Sequence, residues 1–157
     1  MTTVRVATDA DIDAILALTN DAFMADAFFK KEEYHLRFDE PTVKEMMQDN
    51  HSCFLIAQQQ INDAETPCGS IFFHWDVIVS ATIVQVTGKF SAVSVPNKFG
   101  KRGIGKALVN AAETKLVETA RAELLNNPGK HLQVSMEMGV INQRKDLFPW
   151  YEGQGYK

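Results

Sequence analysis

Apolar and polar positions alternate from Val4 to Ala7, which predicts a short strand. Thr8 followed by Asp11 has the spacing of a capping box opening a helix. Ile12, Ile15, Leu16 and Phe23 then share one stripe at helical spacing. Between Phe28 and Phe38 aromatics and charges mix without a clean period, and a second helical stretch is expected there. Pro41 suits the first turn of another helix through about Gln48. Cys53 to Gln58 reads as a strand, and polar Gln59 to Thr66 with Pro67 as a hairpin connection. Ser70 to Val77 and Lys89 to Val95 supply two more strands. The longest helix is expected from Gly103 to about Leu125, closed by Asn126, Asn127, Pro128 and Gly129. Leu132 to Met138 alternates as a fifth strand, and Asn142 to Glu152 reads as short helical or turn structure ending at Gly153. Strands, then one helix, then a strand point to an α/β (α+β) domain with a mixed sheet.

The 157 residues suit a single domain, 1–157, without internal repeat or linker. A content of 45% hydrophobic and 23% charged residues is that of an ordinary soluble protein. The N-terminal stretch lacks a basic region followed by an apolar one, and Asp9, Asp11 and Asp13 interrupt it, so no secretion signal is read. Apolar runs fall well short of a membrane span. A cytoplasmic location with no membrane partner is expected, with Cys53 and Cys68 as reduced thiols. The net charge of -4 argues against bulk nucleic-acid binding.

One segment departs from this acidic balance. From Ser94 to Leu108 the chain reads SVPNKFGKRGIGKAL, a strand running through a loop into a helix. Lys98, Lys101, Arg102 and Lys106 crowd the helix start, where cations oppose the macrodipole. A bound polyanion reverses that penalty. Gly100, Gly103 and Gly105 let backbone N–H groups approach a phosphate, and the helix start adds its own unpaired donors. Gly100 to Lys106 matches seven positions of a P-loop, but Ala107 stands where a Ser or Thr must ligate magnesium. A dinucleotide fingerprint beginning at Gly103 and Gly105 fails at its third glycine, where Leu108 stands.

The run from Val93 resembles motif A of the GCN5-related N-acetyltransferase (GNAT) family, whose usual form is Arg or Gln, two residues, Gly, any residue, then Gly or Ala. Gly103 and Gly105 take the glycine positions, Ile104 the apolar position between them, and Lys101 and Arg102 the variable pair. Gly100 replaces the usual Arg or Gln, which leaves backbone amides as the main pyrophosphate donors, with Lys98, Arg102 or Lys106 to compensate. Asn142, Arg144, Leu147, Trp150, Tyr151, Gly155 and Tyr156 look like the closing motif of the family, and VRVATDADIDAILALTNDAF like its first strand and helix. The resemblance implies a three-layer fold, with a central mixed, mostly antiparallel sheet and helices on both faces. Family members usually continue with two more strands after the Gly-aromatic pair, so these C-terminal strands are expected to be missing. An edge left open that way is an association hazard, and a homodimer would cover it.

The implied activity is acyl-CoA-dependent N-acyl transfer, with acetyl-CoA as cosubstrate, no metal, and a small-molecule or protein amine as acceptor. The backbone of Val93, Ser94 and Val95 would meet the thioester carbonyl, residues 100 to 106 the pyrophosphate, and Asn142 the cofactor from the closing motif. Tyr151 matches the acid that protonates the departing thiolate. No base is obvious: Glu137 lies on the fifth strand out of phase with Val134, Met136 and Met138, and could accept a proton through water. His74 and Asp76 share a strand face, but a histidine among Phe72, Phe73 and Trp75 reads as a core residue. Phe23, Phe28, Phe29 and Tyr34 offer apolar walls for the acceptor, and Asp21, Asp26, Glu32 and Glu33 could attract a cationic amine. The alternative is a non-catalytic acyl-CoA-binding or sensor module of the same fold.

Overall fold

Strand alternation and helical periodicity sort the apolar side chains onto the two faces of one sheet. In the computed structural model, which describes residues 2–23, 39–100 and 102–138, the strands are β1 (Thr2–Val6), β2 (Ser52–Ile61), β3 (Ala64–Val79), β4 (Ile83–Ser94) and β5 (His131–Met138). The helices are α1 (Ile12–Phe23), α2 (Glu40–Gln48) and α3 (Ile104–Leu125). Sheet order follows chain order, β1-β2-β3-β4-β5. The first three pairings are antiparallel and β4 pairs β5 in parallel, with α3 as the crossover a parallel pair requires.

On one face Ile104, Leu108, Ala112 and Leu116 of α3 pack against Leu55, Ile71, Phe73, Val86 and Phe90. On the other, Ile12, Ile15 and Val43 of α1 and α2 pack around Phe54, with Phe72 against them. Phe54 and Leu55, like Phe72 and Phe73, belong to opposite clusters because successive strand residues point to opposite faces. The fold is therefore three-layered, with a mostly antiparallel mixed sheet between helices. No described helix is long and apolar enough to cross a membrane.

The capping pair forms as the sequence suggests: the Asp11 carboxylate accepts from the Thr8 N–H at 2.8 Å, and Asp11 N–H donates to Thr8 O at 2.9 Å. Arg5 adds two donors to the same carboxylate, each at 2.7 Å. These bonds hold the Asp11 carboxyl down at about 2, the Arg5 hydrogen bonds being the largest cause. In α2, Pro41 lies in the first turn, and Asp39 caps the helix by accepting from Thr42 N–H at 2.9 Å.

The hairpin differs from expectation. Gln59 to Ile61 and Ala64 to Thr66 are paired strand, and only Asn62 and Asp63 form the turn, at φ 51° and 62°. Asn and Asp tolerate left-handed conformations, so a two-residue turn whose twist matches the strands closes the hairpin. Pro67 is accommodated by a register shift beside Ala57 and Gln58. The fourth strand likewise starts earlier than Lys89, at Ile83. The stretches Phe28–Phe38 and Asn142–Glu152 lie outside the described residues.

Candidate functional site

After β4 the chain makes one tight turn, Asn97–Phe99, closed by Phe99 N–H donating to Pro96 O at 2.9 Å. The buried Phe99 ring anchors this turn to the α3 side of the core. Lys98 Nζ lies 5.3 Å and Arg102 Cζ 5.7 Å from the ring centroid, so one aromatic gathers two of the cations by cation–π attraction. Arg102 also donates to Gln59 Oε1 of β2 at 3.1 Å, and Gln59 in turn donates to Thr2 Oγ1 at 2.8 Å. The guanidinium is thus held from the sheet while keeping further N–H donors for a ligand.

Gly103 follows in the left-handed conformation, φ 75°, as the N-cap of α3. Among the described residues, and apart from its chain neighbours, no heavy atom lies within 4 Å of where its Cβ would be. The helix start has no side-chain cap and no acidic residue in its first turn, and its first backbone bond is Ala107 N–H to Gly103 O at 3.0 Å. The first N–H groups of α3 therefore have no intrahelical acceptor and point toward the side of Arg102 and Gly103. Lys106 is exposed and Ile104 is buried, so one turn of helix divides between core and ligand side. Lys101 lies outside the described residues.

The end of β4 is not a regular strand. Ser91 pairs with Phe72 and Ser94 with Ser70, so Ala92 and Val93 together oppose Ile71 alone. This bulge places Ala92 at φ 53°, the left-handed region that favours glycine. Ser94 is 3% exposed and its hydroxyl donates to Ala92 O at 2.9 Å. Val93 and Val95 pack against the α3 side of the core. Gly69 of β3 adjoins this point: a Cβ there would stand 2.8 Å from Ile104 Cγ2, 3.1 Å from Leu108 Cδ1 and 3.2 Å from Ser94 O. Bulge, glycine and helix start therefore form one close-packed junction. Neither the left-handed Ala92 nor the roles of Gly69 and Gln59 are foreseen from the sequence, where only a strand glycine hints at close backbone approach.

Glu137 is exposed on β5, paired in register with Lys89, which in turn pairs with His74. These three lie across one face of the sheet, with His74 Nε2 at 3.2 Å from Asp76 Oδ1. His74 is thus half-exposed beside a carboxylate, not a core residue as expected. From the register, Glu137 stands beside Lys89 and so about 10 Å from the bulge, beyond direct proton transfer. Asn142 and Tyr151 lie outside the described residues. Cys53 and Cys68 are free thiols pushed up by burial, and Cys68 Sγ donates to Ala57 O at 3.4 Å. Among the described residues no group of three or more His, Cys, Asp or Glu side chains could hold a metal ion. A concave surface lined by Asp9, Asp13, Glu40 and Lys44 lies between α1 and α2, across the sheet from the α3 N-terminus.

No known family model and no curated protein matches the sequence, whereas solved structures match over the whole chain. PaiA N-acetyltransferase from Thermoplasma acidophilum, solved with coenzyme A, is similar with a TM-score of 0.72 at 16% identity, over 100% of this chain and 90% of that one. A transcriptional regulator from Bacillus halodurans has a TM-score of 0.67 at 20% identity, over 100% of this chain and 93% of its own. An aminoglycoside acetyltransferase from an uncultured soil metagenomic sample has a TM-score of 0.67 at 12% identity, over 99% and 88%. At such identities the likeness is one of fold, and the chain has the fold of the GCN5-related N-acetyltransferases.

Proposed function

We propose that this protein is an acyl-CoA-dependent N-acyltransferase that passes an acetyl group from acetyl-CoA to a primary amine by direct attack. The observation that carries the reading is the start of α3: an uncapped helix N-terminus opened by a left-handed glycine whose Cβ position no described residue beyond its chain neighbours approaches within 4 Å, flanked by Lys98, Arg102 and Lys106. That donor set fits a pyrophosphate, because the amides and the cations both favour negative charge. Acetyl-CoA supplies an activated thioester. The backbone around Val93 to Val95 orients its carbonyl, since the bulge takes Ala92 and Val93 out of one-to-one pairing with β3 just before it. Glu137 accepts the amine proton through water, and Tyr151 donates to the departing sulfur. A phenol of pKa about 10 remains protonated at neutral pH beside a thiol near 8.5, so hydrogen bonding to the thiolate contributes more than complete transfer. Asn142, from the closing motif, completes the cofactor contacts.

A small-molecule amine is the favoured acceptor, in keeping with a neighbour that acetylates aminoglycosides. The second reading, an acyl-CoA-binding module without turnover, is favoured by the neighbour described as a transcriptional regulator and by Gly100 in place of the usual Arg or Gln. Thiol release from acetyl-CoA across an amine panel separates the two. Calorimetry with coenzyme A tests the site itself. Gly103→Val should weaken binding at least tenfold, because valine combines backbone strain with a side chain over the amides, while Gly103→Asn separates the two effects by tolerating φ 75°. Wild-type affinity in a folded Gly103→Val protein would place the phosphates elsewhere.

A further inference from the structure

We propose that Ser94 is a positioning residue whose hydroxyl latches Ala92 in its left-handed conformation and so holds the bulge of β4 in the shape that orients the reacting thioester. The inference rests on the acyltransferase reading and assigns a side chain to a task otherwise left to the backbone. Ala92 has φ 53°, where the Cβ of an L-residue crowds the following carbonyl. A glycine there would adopt this conformation freely. With alanine, something must hold the strand against relaxing into regular pairing with Ile71.

Ser94 is placed to do so. Its hydroxyl donates to Ala92 O at 2.9 Å across the two-residue bulge, and at 3% exposure water competes little for that bond. A serine hydroxyl has one proton, so the latch uses the donor capacity of Ser94 and leaves carbonyl recognition to backbone N–H groups. Ser94 O, 3.2 Å from the Cβ position of Gly69, also ties the latch to the junction that seats Ile104 and Leu108 of α3. Ser70, the cross-strand partner of Ser94, supplies an internal control, because its hydroxyl is equally buried and has no hydrogen-bond partner among the described residues.

The test is a cycle of Ser94→Ala, Ala92→Gly and the double variant in the full chain, with Ser70→Ala alongside. Two readouts are taken: thiol release from acetyl-CoA, and amide hydrogen exchange at Val93 and Ser94. Ser94→Ala should lower kcat about tenfold, the scale of one buried hydrogen bond, with coenzyme A affinity within about twofold of wild type. Exchange at the bulge should quicken in parallel. Ala92→Gly makes the latch redundant, so the double variant should recover most of the lost rate and protection, and Ser70→Ala should leave both unchanged. Unaltered kcat and exchange in Ser94→Ala, or a double variant as impaired as Ser94→Ala, would overturn the inference. Absence of both coenzyme A binding and turnover in the wild type would instead remove the acyltransferase reading, and the exchange cycle alone would then decide whether Ser94 holds the bulge.

Discussion

Replacing Gly69 by alanine probes the junction between sheet and phosphate-binding helix with a single methyl group. The new Cβ would stand 2.8 Å from Ile104 Cγ2, 3.1 Å from Leu108 Cδ1 and 3.2 Å from Ser94 O. The first distance is too short for carbon–carbon contact, the Leu108 methyl is the flexible partner, and the Ser94 carbonyl belongs to the bulge. Overpacking of this kind costs about 1–3 kcal/mol. Lower entropy of the unfolded alanine chain offsets about 0.4–1 kcal/mol, since Gly69 has no positive φ for alanine to strain. A net loss of about 1–2 kcal/mol lowers Tm by about 3–6 °C in a chain of this length. Ile104→Ala removes the clashing methyl and alone costs about 2–5 kcal/mol through the cavity it leaves. In that background Gly69→Ala refills part of the space, so the cycle should show a favourable coupling of about 1–2 kcal/mol. Thermal and urea denaturation of the four proteins measures it. A Gly69→Ala variant as stable as wild type, or equal losses in both backgrounds, would refute the close packing of α3 on β3.

Two predictions concern other sites. Asp11 has its carboxyl lowered from 3.8 to about 2, so it adds stability fully present above the unfolded value and lost as pH falls from about 3.8 toward 2. That difference corresponds to about 2.4 kcal/mol at most, and screening around Arg5, 42% exposed, reduces it to about 1–1.5 kcal/mol. Asp11→Asn should therefore destabilise the protein by about that amount at pH 7 and by much less near pH 2, as read by urea midpoints across pH. A gap between the two proteins that does not narrow with acidification would count against the Arg5 pair. Tyr151→Phe should lower kcat by about 10²- to 10⁴-fold with acetyl-CoA affinity nearly intact, because the lost bond strengthens only as charge develops on sulfur. Turnover at the wild-type rate, with chemistry rate-limiting, would leave the acid to another group.

The elements legible in the sequence are those with local causes. The stripe of Ile12 and Ile15, the box of Thr8 and Asp11, Pro41 in its first turn and the alternation of β5 each depend on neighbours within one turn or one pleat, and each recurs in the structure. The glycines and cations around α3 were equally legible, because a helix start needing no side-chain cap carries its signal in a few consecutive residues. The polar ends of the hairpin at Gln59–Ile61 and Ala64–Thr66 were not, since pairing between backbones makes them strands whatever their side chains.

What only the tertiary structure decided arises from long-range contacts. Nothing in Ala92 favours a left-handed residue; the two-against-one opposition to Ile71 and the Ser94 hydroxyl impose it. Arg102 finds Gln59 across 43 residues of sequence, and Gly69 earns its place only when Ile104 and Leu108 arrive above it. Glu137 and Lys89 become neighbours because α3 returns the chain parallel to β4. A strand pattern records which face a side chain takes, whereas register, bulge and crossover depend on residues far along the chain and are fixed only when the sheet closes against its helices.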